Sequence, residues 1–254
     1  MSEKITLTID DQKIQAKQGQ TILQAAQENN IFIPTLCALR AEQKNDLKND
    51  LAPGACRICT VIINGRSMAA CTTPVAQDMV VENDTEELNE LRKTIIELFF
   101  VEGNHFCPSC EKSGSCDLQA LAYRYQMLAP RFRYAFPNRE VHAESPKLLL
   151  DRNRCILCRR CAEAIRTPDG KPFFGFNKRG DKSTIIMDKE LVKDISDEQA
   201  QQAMHICPVG CIIYKGKGFD TPLGQRRYDH KPIGSDTTNS EKELEKEGAE
   251  GEQS

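Results

Sequence analysis

Residues 101–116 read VEGNHFCPSCEKSGSC. One short stretch holds a histidine and three cysteines: His105, Cys107, Cys110 and Cys116. A C-x-x-C pair lets two thiolates face one concave loop, and Cys116 follows after five intervening residues. Three thiols leave a four-cornered metal site one ligand short, and His105 is the histidine at hand. The competing reading makes His105 an exposed loop residue. An imidazole in place of a thiolate removes negative charge from a cluster, a change that raises the potential in Rieske centres. The same direction is expected here.

Cysteine groups lie on both sides of this stretch. Downstream, Cys155, Cys158 and Cys161 form C-x-x-C-x-x-C, the spacing of a [4Fe–4S] corner. A fourth ligand in such sites often sits in a distant Cys-Pro, and Cys207-Pro208 supplies one; Pro turns the chain sharply at the ligand. Cys211, four residues on, competes with Cys207 for that role, and otherwise packs as a small buried apolar residue. Upstream stand Cys37, Cys56, Cys59 and Cys71. Assigned in this way, eleven of the twelve cysteines and His105 become ligands. Zinc uses the same residues and spacing, so a zinc-stabilised interaction module is the alternative from another class. His205 falls at a helix C-terminus, while His142 and His230 fall in polar loops.

The segments between these groups set the fold. KITLTI alternates over 4–9 as a strand, and a second strand is expected near 13–17. Thr21 to Gln24 fits a capping box opening a helix that ends near Asn29. Strands at 60–63 and 67–71 flank an Asn64-Gly65 turn, a hairpin signal, and 79–82 closes a small β-grasp. Residues 85–101 predict a helix with Leu88, Leu91, Ile95, Leu98 and Phe99 on its apolar face. A second helix, 117–127, buries Leu118, Leu121, Ala122 and Tyr125. Residues 131–145 read as an irregular connector. Strands are expected at 147–151, 173–176, 184–187 and 212–214, with a Ser196-capped helix ending at His205-Ile206.

Composition bounds the class. Of 254 residues, 39% are hydrophobic and 6% aromatic, with no Trp, so metal sites compensate for sparse core material. The start MSEKITLTID has no signal-peptide pattern, and 95–101 is too short an apolar run to span a bilayer. A cytoplasmic location follows as an expectation, where thiols stay reduced. Net charge is −3, which does not suggest nucleic-acid binding. Arg152, Arg154, Arg159 and Arg160 are expected on a solvated face or at a partner contact. From about 231 the chain becomes densely charged and nearly free of apolar residues, the pattern of a disordered tail. KGKGF at 215–219 lacks the third glycine of a dinucleotide fingerprint, so no NAD or flavin site is expected on this chain.

The N-terminal group resembles a plant-type [2Fe–2S] ferredoxin domain. Its loop between Cys37 and Cys56, containing AEQKNDLKND, is longer than that family usually shows. Over about 3–230 the order of modules resembles the N-terminal part of the large iron–sulfur subunit of respiratory complex I, and that of [FeFe]-hydrogenases. HFCPSCEKSGSCDLQ, CILCRRC and ICPVG carry the likeness. Complex I places its histidine four residues before the first central cysteine, where this chain has Gly103. The short EGNHFCPSCEKSG form, with DRNRCILCRRC, most resembles the diaphorase iron–sulfur subunit of bidirectional NAD-reducing [NiFe]-hydrogenases.

The resemblance implies an α+β chain in four parts. Residues 1–83 would be a β-grasp domain whose Cys37, Cys56, Cys59 and Cys71 hold a [2Fe–2S] cluster. Residues 84–145 would be a small helical domain whose His105, Cys107, Cys110 and Cys116 hold a [4Fe–4S] cluster. Residues 146–230 would be a bacterial ferredoxin-like domain with a second [4Fe–4S] cluster on Cys155, Cys158, Cys161 and Cys207, and 231–254 the acidic tail. The implied role is that of an oxidoreductase subunit without a substrate site of its own. It would relay electrons between a flavin- and NAD(H)-binding subunit and the small and large hydrogenase subunits. The same relay in an NAD-linked formate dehydrogenase or a complex I-like enzyme is the alternative.

Overall fold

The alternation at the N-terminus folds as a hairpin. In the computed structural model, which describes residues 4–39, 53–216 and 218–237, β1 (Lys4–Ile9) pairs antiparallel with β2 (Gln12–Lys17). Ile5, Leu7, Ile9, Ile14 and Ala16 all turn inward, because alternate strand residues share a face. Asp10 and Asp11 take left-handed backbone at φ 47° and 65°, which aspartate tolerates in a tight turn. Helix α1 (Ile22–Glu28) opens on the expected capping box: Gln24 N–H donates to Thr21 Oγ1 at 3.2 Å, and Thr21 N–H to Gln24 Oε1 at 2.7 Å.

The hairpin of β3 (Thr60–Ile63) and β4 (Arg66–Ala69) turns at Asn64-Gly65. Strand β5 (Val80–Glu82) then runs between β1 and β3, parallel to the first and antiparallel to the second. The sheet order β2-β1-β5-β3-β4, with α1 against it, is the expected β-grasp. β4 stops short of the expected 67–71. Thr73 bonds Ala69 O through both N–H and Oγ1, so Cys71 sits in a turn rather than on a strand.

Helix α2 (Glu86–Glu102) is capped by Thr85 as expected, and its inward face is the expected one only in part: Leu88 is buried and Ile95 and Phe99 pack against the core. Leu91 and Leu98 are each 39% exposed, while Arg92 and Glu97 are buried with Leu88, Ile96 and Val101. Hydrogen bonds reverse the hydrophobic ranking. Arg92 Nη1 donates to Asn83 O at 2.8 Å, and Nη2 to Thr60 O at 3.0 Å and Asn83 Oδ1 at 2.8 Å, tying α2 to the sheet. The Glu97 carboxylate accepts from Arg131 Nε at 2.9 Å. Helix α3 (Asp117–Arg124) ends earlier than expected, with Tyr125 at its C-cap.

The connector 131–145 is not wholly irregular. β6 (Val141–His142) pairs with β7 (Leu148–Asp151), which pairs with β10 (Ile212–Tyr214), in the order β10-β7-β6. His142 therefore lies on a strand, not in a loop. Between β7 and β10 come α4 (Arg160–Ala164), the hairpin β8 (Phe174–Asn177) and β9 (Thr184–Met187), and α5 (Asp197–Ile206) with its Ser196–Gln199 capping box. The ordered chain also continues past 231. Ile233 is 2% exposed, and its carbonyl accepts from Arg124 Nη1 at 3.1 Å, while the Arg124 guanidinium lies 4.5 Å above the Phe32 ring. The rest of the expected tail, 238–254, and the charged insertion at 40–52 lie outside the described residues.

Two cores result. One lies between the five-stranded sheet and α1. The other runs from Phe32, Leu36 and Ile58 through α2 and α3 to β7, α5 and Ile233, so the three cysteine regions share it. Arg92→Ala would leave the Asn83 and Thr60 acceptors without this donor, each a loss of about 1–3 kcal/mol. Denaturant unfolding is expected to show a fall of roughly 2–4 kcal/mol for that variant, and less than about 1 kcal/mol for Leu91→Ala on the exposed face.

Candidate metal centres

Each cysteine group sits in a loop whose backbone turns left-handed. Gly54 and Arg57 (φ 68° and 60°) surround Cys56, Gly114 (φ 76°) lies between Cys110 and Cys116, and Leu157 and Arg159 (φ 54° and 68°) alternate with Cys155, Cys158 and Cys161. Such residues turn successive N–H groups toward one side and form concavities for anions, iron–sulfur groups among them. Non-glycine residues at these angles carry strain. Leu157 N–H, 3.4 Å from Cys155 Sγ, shows one direct contact that results.

The first site gathers Cys37, Cys56, Cys59 and Cys71, all buried. The Cys56 and Cys71 thiols hydrogen-bond to Cys37 and hold it far below the ordinary thiol value. Cys71 likewise lowers Cys59, and the donating thiols Cys56 and Cys71 rise in turn. The four thiols, from three separate stretches, are thus linked in series, Cys56 to Cys37 to Cys71 to Cys59. The thiolate form is what a metal binds, and binding releases the remaining protons.

The second site is built by the stretch 101–116. His105, Cys107, Cys110 and Cys116 line one small cavity of about 20 Å³ with Phe100 and Gly210. Burial, then the nearby Arg154 charge, pushes His105 down to about 4, so at neutral pH the imidazole is uncharged and has a lone pair to give. Its Nε2 is buried without a hydrogen-bond partner. A buried polar atom normally has a partner, and a ligating role would supply one here. The ring is held by Phe100, 5.5 Å away centroid to centroid, and by the bare Cα of Gly103, where any Cβ would strike the imidazole. Gly210 is equally constrained, since a Cβ there would strike Cys110 Sγ. Burial raises Cys107 and Cys116. Arg154 Nη1 approaches Cys110 Sγ at 3.5 Å and brings a compensating charge.

The third site depends on the β7–β10 pairing. Ile212 lies opposite Leu150, and Asp151 N–H donates to Cys211 O at 2.8 Å, which carries Cys207 and Cys211 to the C-x-x-C-x-x-C loop. Cys207 faces Cys155, Cys158 and Cys161 electrostatically, whereas Cys211 faces Cys155 and Cys207. Cys211 is buried as expected but is more than apolar filling: its thiol hydrogen-bonds to both Cys155 and Cys207. That bond, with Lys112 nearby, brings Cys207 down to about 6. Among the described residues, no three Cys, His, Asp or Glu side chains have the spacing of ligands to a single ion.

Of the arginines expected on a solvated face or at a partner contact, Arg159 is exposed, Arg152 and Arg154 are half-buried, and Arg160 belongs to the interior. Arg160 is fully buried and pairs with Asp117 at 3.2 Å. Arg154 pairs with Asp151 at 2.9 Å. Lys112, which the sequence reading passed over, donates Nζ to Met204 O at 2.6 Å at the end of α5, beside His205. Its charge is felt at both Cys116 and Cys207.

Three family models match in order: a 2Fe–2S iron–sulfur cluster binding domain over residues 2–86, an NADH-ubiquinone oxidoreductase-G iron–sulfur binding region over 92–131, and a 4Fe–4S single cluster domain over 148–214. The chain is 43% identical to the NAD-reducing hydrogenase HoxS subunit gamma of Cupriavidus necator, over 90% of this chain and 95% of that one. It is 33% identical to the NADPH-Fe(3+) oxidoreductase subunit alpha of Geobacter sulfurreducens, over 83% of this chain but 24% of that longer protein. A chain in the crystal structure of an NAD+-reducing [NiFe]-hydrogenase superposes with a TM-score of 0.80 at 40% identity, covering 91% of this chain and 95% of its own.

Substitutions at the second and third sites separate the ligand readings. His105→Cys is expected to keep the central cluster and lower its potential by on the order of 100 mV. Retention of the wild-type EPR signal and potential in His105→Ala would overturn the ligand assignment. Gly210→Ala should erase the central signal alone. At the third site, Cys207→Ser is expected to lose a [4Fe–4S] signal and Cys211→Ser to keep it, as read by low-temperature EPR of dithionite-reduced protein.

Proposed function

We propose that the chain, which belongs to the family of the gamma subunit of NAD-reducing hydrogenase and carries iron–sulfur binding domains, relays electrons between a flavin- and NAD(H)-binding subunit and a [NiFe]-hydrogenase module. The proposed cofactors are one [2Fe–2S] cluster on Cys37, Cys56, Cys59 and Cys71, one [4Fe–4S] cluster on His105, Cys107, Cys110 and Cys116, and one on Cys155, Cys158, Cys161 and Cys207. The observation that carries this reading is the cavity ringed by His105 and three cysteines, with an unpartnered imidazole nitrogen.

Bound at these sites, iron–sulfur clusters supply one-electron redox centres. The residues of the chain do the rest. The thiolates and the neutral imidazole of His105 would hold the metal. The left-handed loops aim N–H groups at the sulfurs, and Arg154 and Lys112 offset negative charge next to Cys110 and Cys207. Hydrogen bonds, charge and burial of this kind set cluster potentials. Two-electron hydride chemistry belongs to a flavin, and a series of one-electron sites matches it to a distant two-electron centre. Among the described residues no helix is long and apolar enough to cross a membrane, and reduced thiols suit the cytoplasm, the compartment we propose.

Metal analysis decides between this reading and a zinc-stabilised module. Anaerobically purified chain is expected to be brown, with about ten irons per chain and an equal amount of acid-labile sulfide; zinc in their place would sink the proposal. Pull-down of the tagged chain from its native cells is expected to bring a flavoprotein and two hydrogenase subunits. Recovery of a formate dehydrogenase instead would keep the relay and replace the terminal enzyme.

A further inference from the structure

We propose that Arg160 is a positioning residue that fixes the three cysteine sites relative to one another, acting through a residue adjacent in the chain to one ligand of each. The inference rests on the three-cluster reading and goes beyond it. Arg160 is 0% exposed. Its Nη2 donates to the carbonyl of Ala38 at 2.6 Å, the residue after Cys37 in the first site. Its Nη1 donates at 3.2 Å to the Asp117 carboxylate, the residue after Cys116 in the second site. The same Nη1 donates at 3.2 Å to the carbonyl of Ile206, the residue before Cys207 in the third. Arg160 itself immediately precedes Cys161. One planar guanidinium thus touches a covalent neighbour of a ligand in every site.

The chemistry of the group fits this task. Guanidinium presents five donors in a rigid fork and stays charged throughout the working range, so its bonds are directional and permanent. A buried ion pair is costly to desolvate, and its best-attested use is to specify one arrangement rather than to add stability. Around Arg160 the arrangement is over-determined. Asp117 accepts from Tyr228 Oη at 2.6 Å, and its own N–H donates to Pro208 O at 2.9 Å, beside Cys207. Arg154 and Lys112 join the second and third sites to each other; Arg160 adds the first. The path from Cys37 to Cys161 then crosses a single hydrogen bond, Ala38 O to Arg160 Nη2. Apolar packing would fill the same volume without fixing this register.

The test uses Arg160→Lys, Arg160→Met and Asp117→Asn in the assembled, iron-loaded complex. Iron content and the separate EPR signal of each cluster establish what is present. The readout is the spin-relaxation enhancement and dipolar broadening that the reduced [4Fe–4S] sites impose on the [2Fe–2S] signal, which fall steeply with distance. Full iron with a weaker enhancement and a broader distance distribution is expected, larger in Arg160→Met than in Arg160→Lys. Wild-type enhancement in all three variants at full iron content would overturn the proposal. So would an equal loss of all three signals in Arg160→Lys, which would make Arg160 a general folding residue. If the wild-type complex lacked three distinguishable signals, the three-cluster reading itself would fail, whatever Arg160 does.

Discussion

All twelve cysteines are unpaired thiols, ten of them buried and the others half-buried, and that constraint governs the fold. Thiolates crowded in a low-dielectric interior repel one another and pay for lost hydration unless opposite charge or N–H donors face them. Every region around the ligands supplies such compensation. Left-handed residues turn amides toward the sulfurs, Arg154 reaches Cys110, Lys112 sits between Cys116 and Cys207, and the Cys211 thiol donates to its neighbours. A bound cluster completes what these groups begin, since ligand deprotonation and folding are coupled to metal binding.

The same constraint explains why the three regions share one core instead of forming beads on a string. A relay needs short, fixed separations, and small domains with few aromatic residues cannot each build a large core. The β-grasp sheet has its own apolar layer, but Leu36, Ile58 and Phe32 pack outward into the common interior with α2, α3, α5 and Ile233. Arg92 ties α2 to the sheet, and Arg160 joins all three ligand loops. Buried arginines here do what hydrophobic side chains do in larger folds, with added directionality.

Local signals in the chain were read well wherever the deciding contacts are local. The Thr21 and Ser196 capping boxes, the Asn64-Gly65 turn and the alternation of KITLTI depend on neighbours a few residues away, and they appear where expected. The α2 face is legible only in part, because hydrophobic periodicity cannot weigh Arg92 and Glu97 against partners outside the helix, at Thr60, Asn83 and Arg131. β6 went unseen because two residues carry no period. Ile233 reads as part of a tail because its partner, Arg124, lies 109 positions away.

By itself the sequence determined which residues could bind metal: cysteine and histidine chemistry and C-x-x-C spacing are properties of short segments, and they identified three groups. Tertiary structure alone decided what lies beside those groups. The β7–β10 register set Cys207 against the loop at 155–161 and made Cys211 its hydrogen-bonding neighbour. The fold drew Arg160 from an expected surface into the interior, and it left His105 Nε2 buried without a partner. Charge compensation and distance are relations between segments remote in the chain, so no local pattern encodes them.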